Sequence, residues 1–405
     1  MSLTVRPCAS LEEVGKALAP IVHYFGARPT AEDLDRWNKL LDVRRVHAAI
    51  DGSAYVGGAG AYTFEMTVPG ERTVRAAGVT VVGVLPTHRR RGVLRAMMRA
   101  QLDDVHERGE PVAYLWASEE TIYGRFGYGL ASLCGEVEIP RLSSAFARPI
   151  ERRTDGAMLE EDAALEPFSA IYERVRPHHP GMPSRTPDWW RERRLSDPES
   201  RRRGGGVLNR VLLTSGGEPQ AYALYRLNQN LESGVSSGHV NVLEAIGATP
   251  QATAEIWRLL LDIDWVGSIK AHALPMDHPL FLLLANPRRM RFRVGDSLWV
   301  RLVDVAAAFA SRSIGGGDPV VLEVSDPFCP WNEGRYALGE GTVERTRADA
   351  DISLDVNALG SVYLGGFRFA DLLHAGRIVE LREGAAARAD ALLPRDRAPW
   401  CPEIF

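Results

Sequence analysis

The spacing of apolar residues changes several times along the chain, and each change marks an element. From Val79 to Leu85 β-branched apolar residues follow one another almost without a break, which reads as a buried strand, and Pro86 ends its ladder. From Gly92 the period lengthens: Leu94, Met98, Leu102 and Val105 share one face of a helix running to about Glu107. Upstream, Leu3–Arg6 reads as a strand, and Leu11, Val14 and Leu18 mark a helix. Leu34, Trp37 and Leu41 give helical spacing to Tyr24–Leu41, with Trp37 as its core anchor. Val46–Ile50 and Ala54–Met66 read as strands paired through Asp51-Gly52. Val112–Ala117 is the next strand. Ser118 is placed to cap a short helix after it, with Glu119 and Glu120 in the first turn.

Arg141–Met158 is polar and arginine-rich and reads as a linker. A second unit then repeats the first. It has a helix over Glu160–Val175, a hairpin of Val207–Thr214 with Gln220–Leu227, a strand Val240–Ile246, a helix carrying Ile256, Leu259, Leu260 and Ile263, and a strand Ser268–Leu274. A third unit holds Leu298–Val303, a helix Val305–Arg312, the strands Val320–Val324 and Ile352–Val356, and a helix Phe367–Ala375 reached through Leu359–Gly366. Strands alternating with helices make this an α/β chain of three domains, 1–150, 151–297 and 298–405.

Composition narrows the function. With 45% hydrophobic and 25% charged residues the chain reads as soluble and globular. No apolar run approaches the ~20 residues that span a bilayer, and the start lacks the apolar core of a secretory leader. A net charge of −4 leaves no footprint for nucleic acid and slightly favours cationic small molecules. Cys8, Cys134, Cys329 and Cys401 stand far apart, which argues against zinc or a disulfide framework and fits a reducing cytoplasm. His178-His179 has no partner at ligand spacing, so no metal is expected.

The candidate chemistry lies between the Val79–Leu85 strand and the following helix, where Arg89, Arg90 and Arg91 precede Gly92. A helix N-terminus presents free N–H groups and partial positive charge, and arginines add charge-assisted contacts, so the turn reads as a pyrophosphate cradle. Arg201–Gly206 offers a similar string, but a strand follows it and no helix dipole is available there, so it reads as a loop. Two phenols, Tyr123 and Tyr128, stand among Gly124, Gly127 and Gly129, and spacing alone does not separate them. The chain closes on Trp400-Cys-Pro-Glu-Ile-Phe405, too apolar for a free tail.

Arg89-Arg-Arg-Gly-Val-Leu94 resembles motif A of the GNAT acyltransferases, [Q/R]-x-x-G-x-[G/A], with Leu94 at the small-residue position. Together with Ala117–Gly129 and the terminal Phe405, the whole chain resembles the Eis (enhanced intracellular survival) family of N-acetyltransferases. That resemblance implies tandem GNAT-like domains, the first binding CoA and the second degenerate, since Ala248–Ala254 replaces the cradle without arginine or glycine, followed by a sterol-carrier-like domain. It implies acetyl-CoA as donor, held by Val82, Gly83, Val84, Arg90, Arg91, Gly92, Val93, Leu94, Arg95, Ser118 and Glu119. It chooses Tyr123 as proton donor to the CoA thiolate and the Phe405 α-carboxylate as base, and places Trp37 at the substrate mouth; Glu403 would add negative charge for a cationic substrate. The acceptor would be a primary amine of an aminoglycoside, polyamine or lysine, and the assembly a cytoplasmic homohexamer. Two alternatives are a lipid- or sterol-binding protein working through its last domain, and an acyltransferase using a longer acyl-CoA.

Overall fold

The computed structural model describes residues 3–26, 28–202, 204–232, 234–339 and 341–405. They form two compact units, one of 1–132, 297–396 and 403–405, the other of 133–296 and 397–402.

The first unit opens with β1 (Leu3–Pro7), α1 (Leu11–Tyr24), α2 (Ala31–Leu40), β2 (Val46–Asp51), β3 (Ala54–Val68), β4 (Arg72–Val84), α3 (Val93–Glu107) and β5 (Val112–Trp116). The helix expected over Tyr24–Leu41 starts later and is shorter. α1 runs through Pro20 to Tyr24, and α2 starts only after Thr30, whose side chain and Asp33 form a capping box. β4 starts at Arg72 rather than Val79, because Arg72, Thr73 and Arg75 hide its first half from an apolar pattern while pairing with Val68, Thr67 and Glu65. β1 to β5 stand in order in a seven-stranded sheet. Leu298–Leu302 then pairs antiparallel with β5, and Gly129–Leu130, β6, closes the far edge. The strand expected in a third domain thus completes the first sheet. Beneath it Arg45 and Glu110, both buried, form a two-pronged ion pair at 2.7 and 2.5 Å. Losing one partner would leave a buried charge, at a cost of about 3–5 kcal/mol.

The same unit contains a five-stranded sheet with Val320–Ser325 at its centre, between Gly334–Gly339 and Ile352–Asp355. The helix expected over Phe367–Ala375 is found at Phe369–His374, and the stretch leading into it holds a further helix, Val356–Tyr363, which Asp355 caps by accepting the Ala358 N–H.

The second unit is built on seven strands, in the order 293–296, 133–140, 268–274, 239–247, 218–228, 208–215 and 155–158. Alternation along Glu218–Asn228 sends Ala221, Ala223 and Tyr225 into one core with the helix Pro250–Leu261. Tyr222 and Leu224 enter another with the helix Glu161–Val175. The expected linker Arg141–Met158 ends in the edge strand Asp155–Met158, paired with Val211–Thr214. The division expected at 150 falls between Ser132 and Leu133, where the chain passes from one sheet to the other. Part of the Arg201–Gly206 string is a short helix, Glu199–Arg202, and Arg203 lies outside the described residues.

Candidate active site

β4 and β5 pair in parallel only at Ala76↔Val112, Ala77↔Ala113 and Gly78↔Tyr114. Beyond Gly78 the strands run on without pairing with each other, β4 to Val84 and β5 to Trp116, so the sheet forks. On its other side β4 carries a bulge against β3 between the pairs Gly60↔Thr80 and Gly58↔Gly83. Val81 stands there at φ +50°, a costly conformation for a β-branched residue. Val82 and Val84 therefore line the open arm of the fork. The Val84 carbonyl already accepts the Tyr24 hydroxyl at 2.8 Å. Gly83, expected at the cofactor, owes its identity to α1 as well, because a Cβ there would come 2.7 Å from Ile21 Cα.

After the arm the chain turns into α3. Gly92 is the N-cap at φ +82°, a cost for any side-chain-bearing residue, although a Cβ would meet nothing within 4 Å. Arg90 also takes the left-handed region, at φ +60°. No side chain caps α3 and its first turn holds no acidic residue, so the N–H groups of Val93, Leu94 and Arg95 are not claimed by a protein cap. Arg90, Arg91 and Gly92 are exposed. This is the fit an anionic pyrophosphate requires. Leu94 is half-buried and packs against the clusters on both sides of α3, where its extra volume is absorbed. Arg95 holds its guanidinium 5.3 Å from the centre of the Phe328 ring, and Arg99 lies over the same ring at 4.1 Å.

At the branch point of the fork sits the chain end. The Phe405 ring lies 5.1 Å from Tyr114, 5.4 Å from Phe64 and 6.3 Å from Tyr62. Gly78 makes the room, since a Cβ there would come 2.6 Å from Phe64 and 3.2 Å from Phe405. Glu403 is buried and Ile404 half exposed, so the acidic side chain faces inward and the apolar one outward. Nothing in the sequence singles out Tyr62, Phe64 and Tyr114. They are strand residues like any others until Phe405 arrives, and no local signal distinguishes them.

Tyr123 follows β5, but the short helix expected at Ser118 does not form. Ser118 and Glu119 lie in an exposed bend, Glu120 in a turn, and a single 3-10 turn spans Tyr123–Phe126 with no side-chain cap. Gly127, at φ +87°, ends it by returning its N–H to Gly124 and Tyr123, which stops propagation. Tyr123 is 8% exposed and packs edge-on to Tyr128 at 5.8 Å. Burial, aided by the Glu119 carboxylate, pushes its phenol up to about 12. Tyr128 is fully buried, and burial raises it further. Asn357 braces the loop by donating to the carbonyls of Gly124 at 2.7 Å and Tyr128 at 3.0 Å. Arg301, held by Asp326 at 2.6 Å, fills the space beside Gly127. Trp37 is the one buried residue of α2, as a core anchor would be. Among the described residues no group of three or more His, Cys, Asp or Glu side chains could hold a metal ion, and no helix is long and apolar enough to cross a membrane.

Comparison with known proteins agrees with this architecture. Residues 7–131 match one acetyltransferase (GNAT) domain family, 181–302 another, and 305–402 the sterol carrier protein domain. The chain is 42% identical to an uncharacterized N-acetyltransferase of Streptomyces avermitilis, covering 94% of both. It is 35% identical to N-acetyltransferase Eis of Mycobacterium tuberculosis over 85% of this chain and 84% of that one. The crystal structure of Eis1 from Mycobacterium abscessus superposes with a TM-score of 0.87 at 36% identity, covering 99% of this chain and 100% of that one. A GCN5-related N-acetyltransferase from Anabaena variabilis shares the fold at 18% identity, with a TM-score of 0.84 and all of both chains covered.

Proposed function

This chain belongs to the Eis family of GNAT N-acetyltransferases, and from that premise we propose that it transfers acetyl from acetyl-CoA to a primary amine of a polycationic acceptor, by direct attack in a ternary complex. The observation that supports this reading most is the terminal Phe405 seated at the branch of the β4–β5 fork, in the same unit as the uncapped α3 and Tyr123.

In this reading the pyrophosphate rests on the N–H groups of Val93 to Arg95, with Arg90 and Arg91 adding charge. The pantetheine arm lies in the fork along Val82 and Val84, past Ser118 and Glu119. The amine arrives as a cation beside the Phe405 carboxylate and gives its proton to that group, directly or through water. A terminal carboxylate near 3.5 is a weak base for an amine near 9 to 10, so pairing and desolvation must bring the two together. The neutral nitrogen attacks the thioester carbon, the C–N bond forms, and the C–S bond breaks as the tetrahedral oxyanion collapses. Tyr123 donates a hydrogen bond to the departing sulfur. With its phenol near 12 against ~8.5 for a thiol, full transfer is uphill by roughly 5 kcal/mol. The phenol therefore stabilises developing charge, and the amine supplies the proton overall.

Aminoglycosides, polyamines and lysine side chains all meet the acceptor's description, Trp37 and Glu403 stand nearest the acceptor, and a cytoplasmic homohexamer is the working form. A screen of CoA-thiol release from acetyl-CoA over kanamycin, spermidine and a lysine peptide tests the proposal. Release with at least one amine, slowed about 10²-fold in Tyr123→Phe, is the expected result. No release with any of them would overturn it.

A further inference from the structure

The second sheet forks as the first does. Strands 239–247 and 268–274 pair in parallel from His239↔Ser268 to Val242↔Ala271 and then run on without pairing with each other, with Ala273 at φ +53°. The helix Pro250–Leu261 starts where the first sheet has its cradle. Here Thr249 takes the Ala252 N–H on its side chain and Pro250 has no N–H to offer, so the phosphate position is closed. A cavity of about 350 Å³ nonetheless remains, walled by Val175, Ile246, Ala248, Leu283 and Trp400. Trp400 is fixed there, its ring N–H on the Ala273 carbonyl at 2.6 Å and its backbone N–H on Pro180 at 2.8 Å.

The polar residues lining this apolar space are Arg397, Asp277, the histidines His178, His179 and His278, and the threonines Thr249 and Thr253. His278 is buried, and its Nδ1 accepts the Leu280 N–H at 3.3 Å, which leaves the proton of the neutral ring on Nε2 as a donor. His179 is 8% exposed, stands edge-on to Trp400 at 5.2 Å, and its buried Nδ1 has no partner among the described residues. Arg397 forms no ion pair among the described residues. Asp277 already accepts the Ala398 N–H at 3.3 Å. The lining thus sets one arginine and three imidazoles against a single carboxylate, inside walls suited to an apolar body.

We propose that this cavity binds a small organic monocarboxylate, its apolar body against Trp400 and its charge met by Arg397 and the His278 Nε2–H. The site lies wholly in the second unit and is independent of acetyl transfer. Titration calorimetry of benzoate into the full chain, with the first site saturated by CoA, tests it. Binding at one site is expected, weakened about tenfold or more in Arg397→Gln and for uncharged benzamide. Filling the cavity with Ala248→Phe is expected to abolish it. CoA affinity and acetyl transfer stay unchanged in both variants. No benzoate binding at millimolar concentration, equal binding of benzamide, or indifference to Arg397→Gln would each overturn the proposal. Should Ala248→Phe fail to fold, Arg397→Gln, at an exposed position, still decides it.

Discussion

Tyr123 holds its proton far more tightly than a free phenol, because burial and the Glu119 carboxylate push it up to about 12. It therefore stays neutral across the working range, and the rising limb of the pH–rate profile belongs to the amine and its base. In the proposed mechanism, replacing Tyr123 by Phe removes one donor from developing charge. A fall in kcat of about 10²-fold is expected, with the affinity for CoA unchanged, measured by steady-state kinetics beside equilibrium binding. Two histidines of the second unit carry a pH prediction of another kind. Burial, with Arg397 and His178 adding to it, holds His179 down to about 4, and burial alone holds His278 down to about 3. Both folded values lie below the unfolded ~6.5, so the unfolded chain binds more protons between them. Stability is full above pH 6.5 and falls as acid is added, by up to about 1.4 kcal/mol per pH unit for each ring. A melting temperature that drops from pH 6.5 to 5, with a shallower slope in His278→Gln, is the expected outcome. A flat profile contradicts it.

At the scale of elements, the cradle was legible because it is local. A β-branched run, a proline, three arginines, a glycine and a new period lie within two dozen residues, and each speaks for itself. What the sequence hid was the reason for Gly92, whose Cβ position is open while its φ of +82° is not one a side chain tolerates cheaply. Gly92→Ala is thus expected to cost about 1 kcal/mol of stability through the backbone. It should also weaken CoA binding by shifting the first N–H groups of α3, both read by thermal shift with and without CoA. The tyrosine loop was legible in composition but not in support. Asn357 lies far along the chain, and nothing in its neighbourhood announces that it holds the carbonyls of Gly124 and Tyr128. Asn357→Ala is expected to lower kcat while sparing the KM for acetyl-CoA, since the cradle does not touch it. The misplaced helix at Ser118 has the opposite lesson. A good cap and two acidic residues name a helix start, but Gly124 and Gly127 follow too soon for a helix to propagate.

Across the whole molecule, periodicity found the units and their order but not their edges. Leu298–Leu302 is an apolar run whose pattern says only that it is buried, and it completes the first sheet rather than opening a third domain. Leu133–Pro140 likewise belongs to the second sheet. Strand partners are non-local and leave no mark on a single sequence, whereas the apolar chain end did leave one. Trp400 is anchored in the second unit, and Phe405 is packed among aromatic rings in the first. The terminal carboxylate is the base that the family resemblance implies, and the Phe405 ring beside it packs against Tyr114, Phe64 and Tyr62. The most direct measurement compares kcat for acetyl transfer to an accepted amine in the chain as it stands and in a chain lengthened by one glycine beyond Phe405. The side chain at 405 is kept while the carboxylate moves away. A fall of about 10²-fold or more with CoA affinity intact is expected, and unchanged turnover would contradict the account.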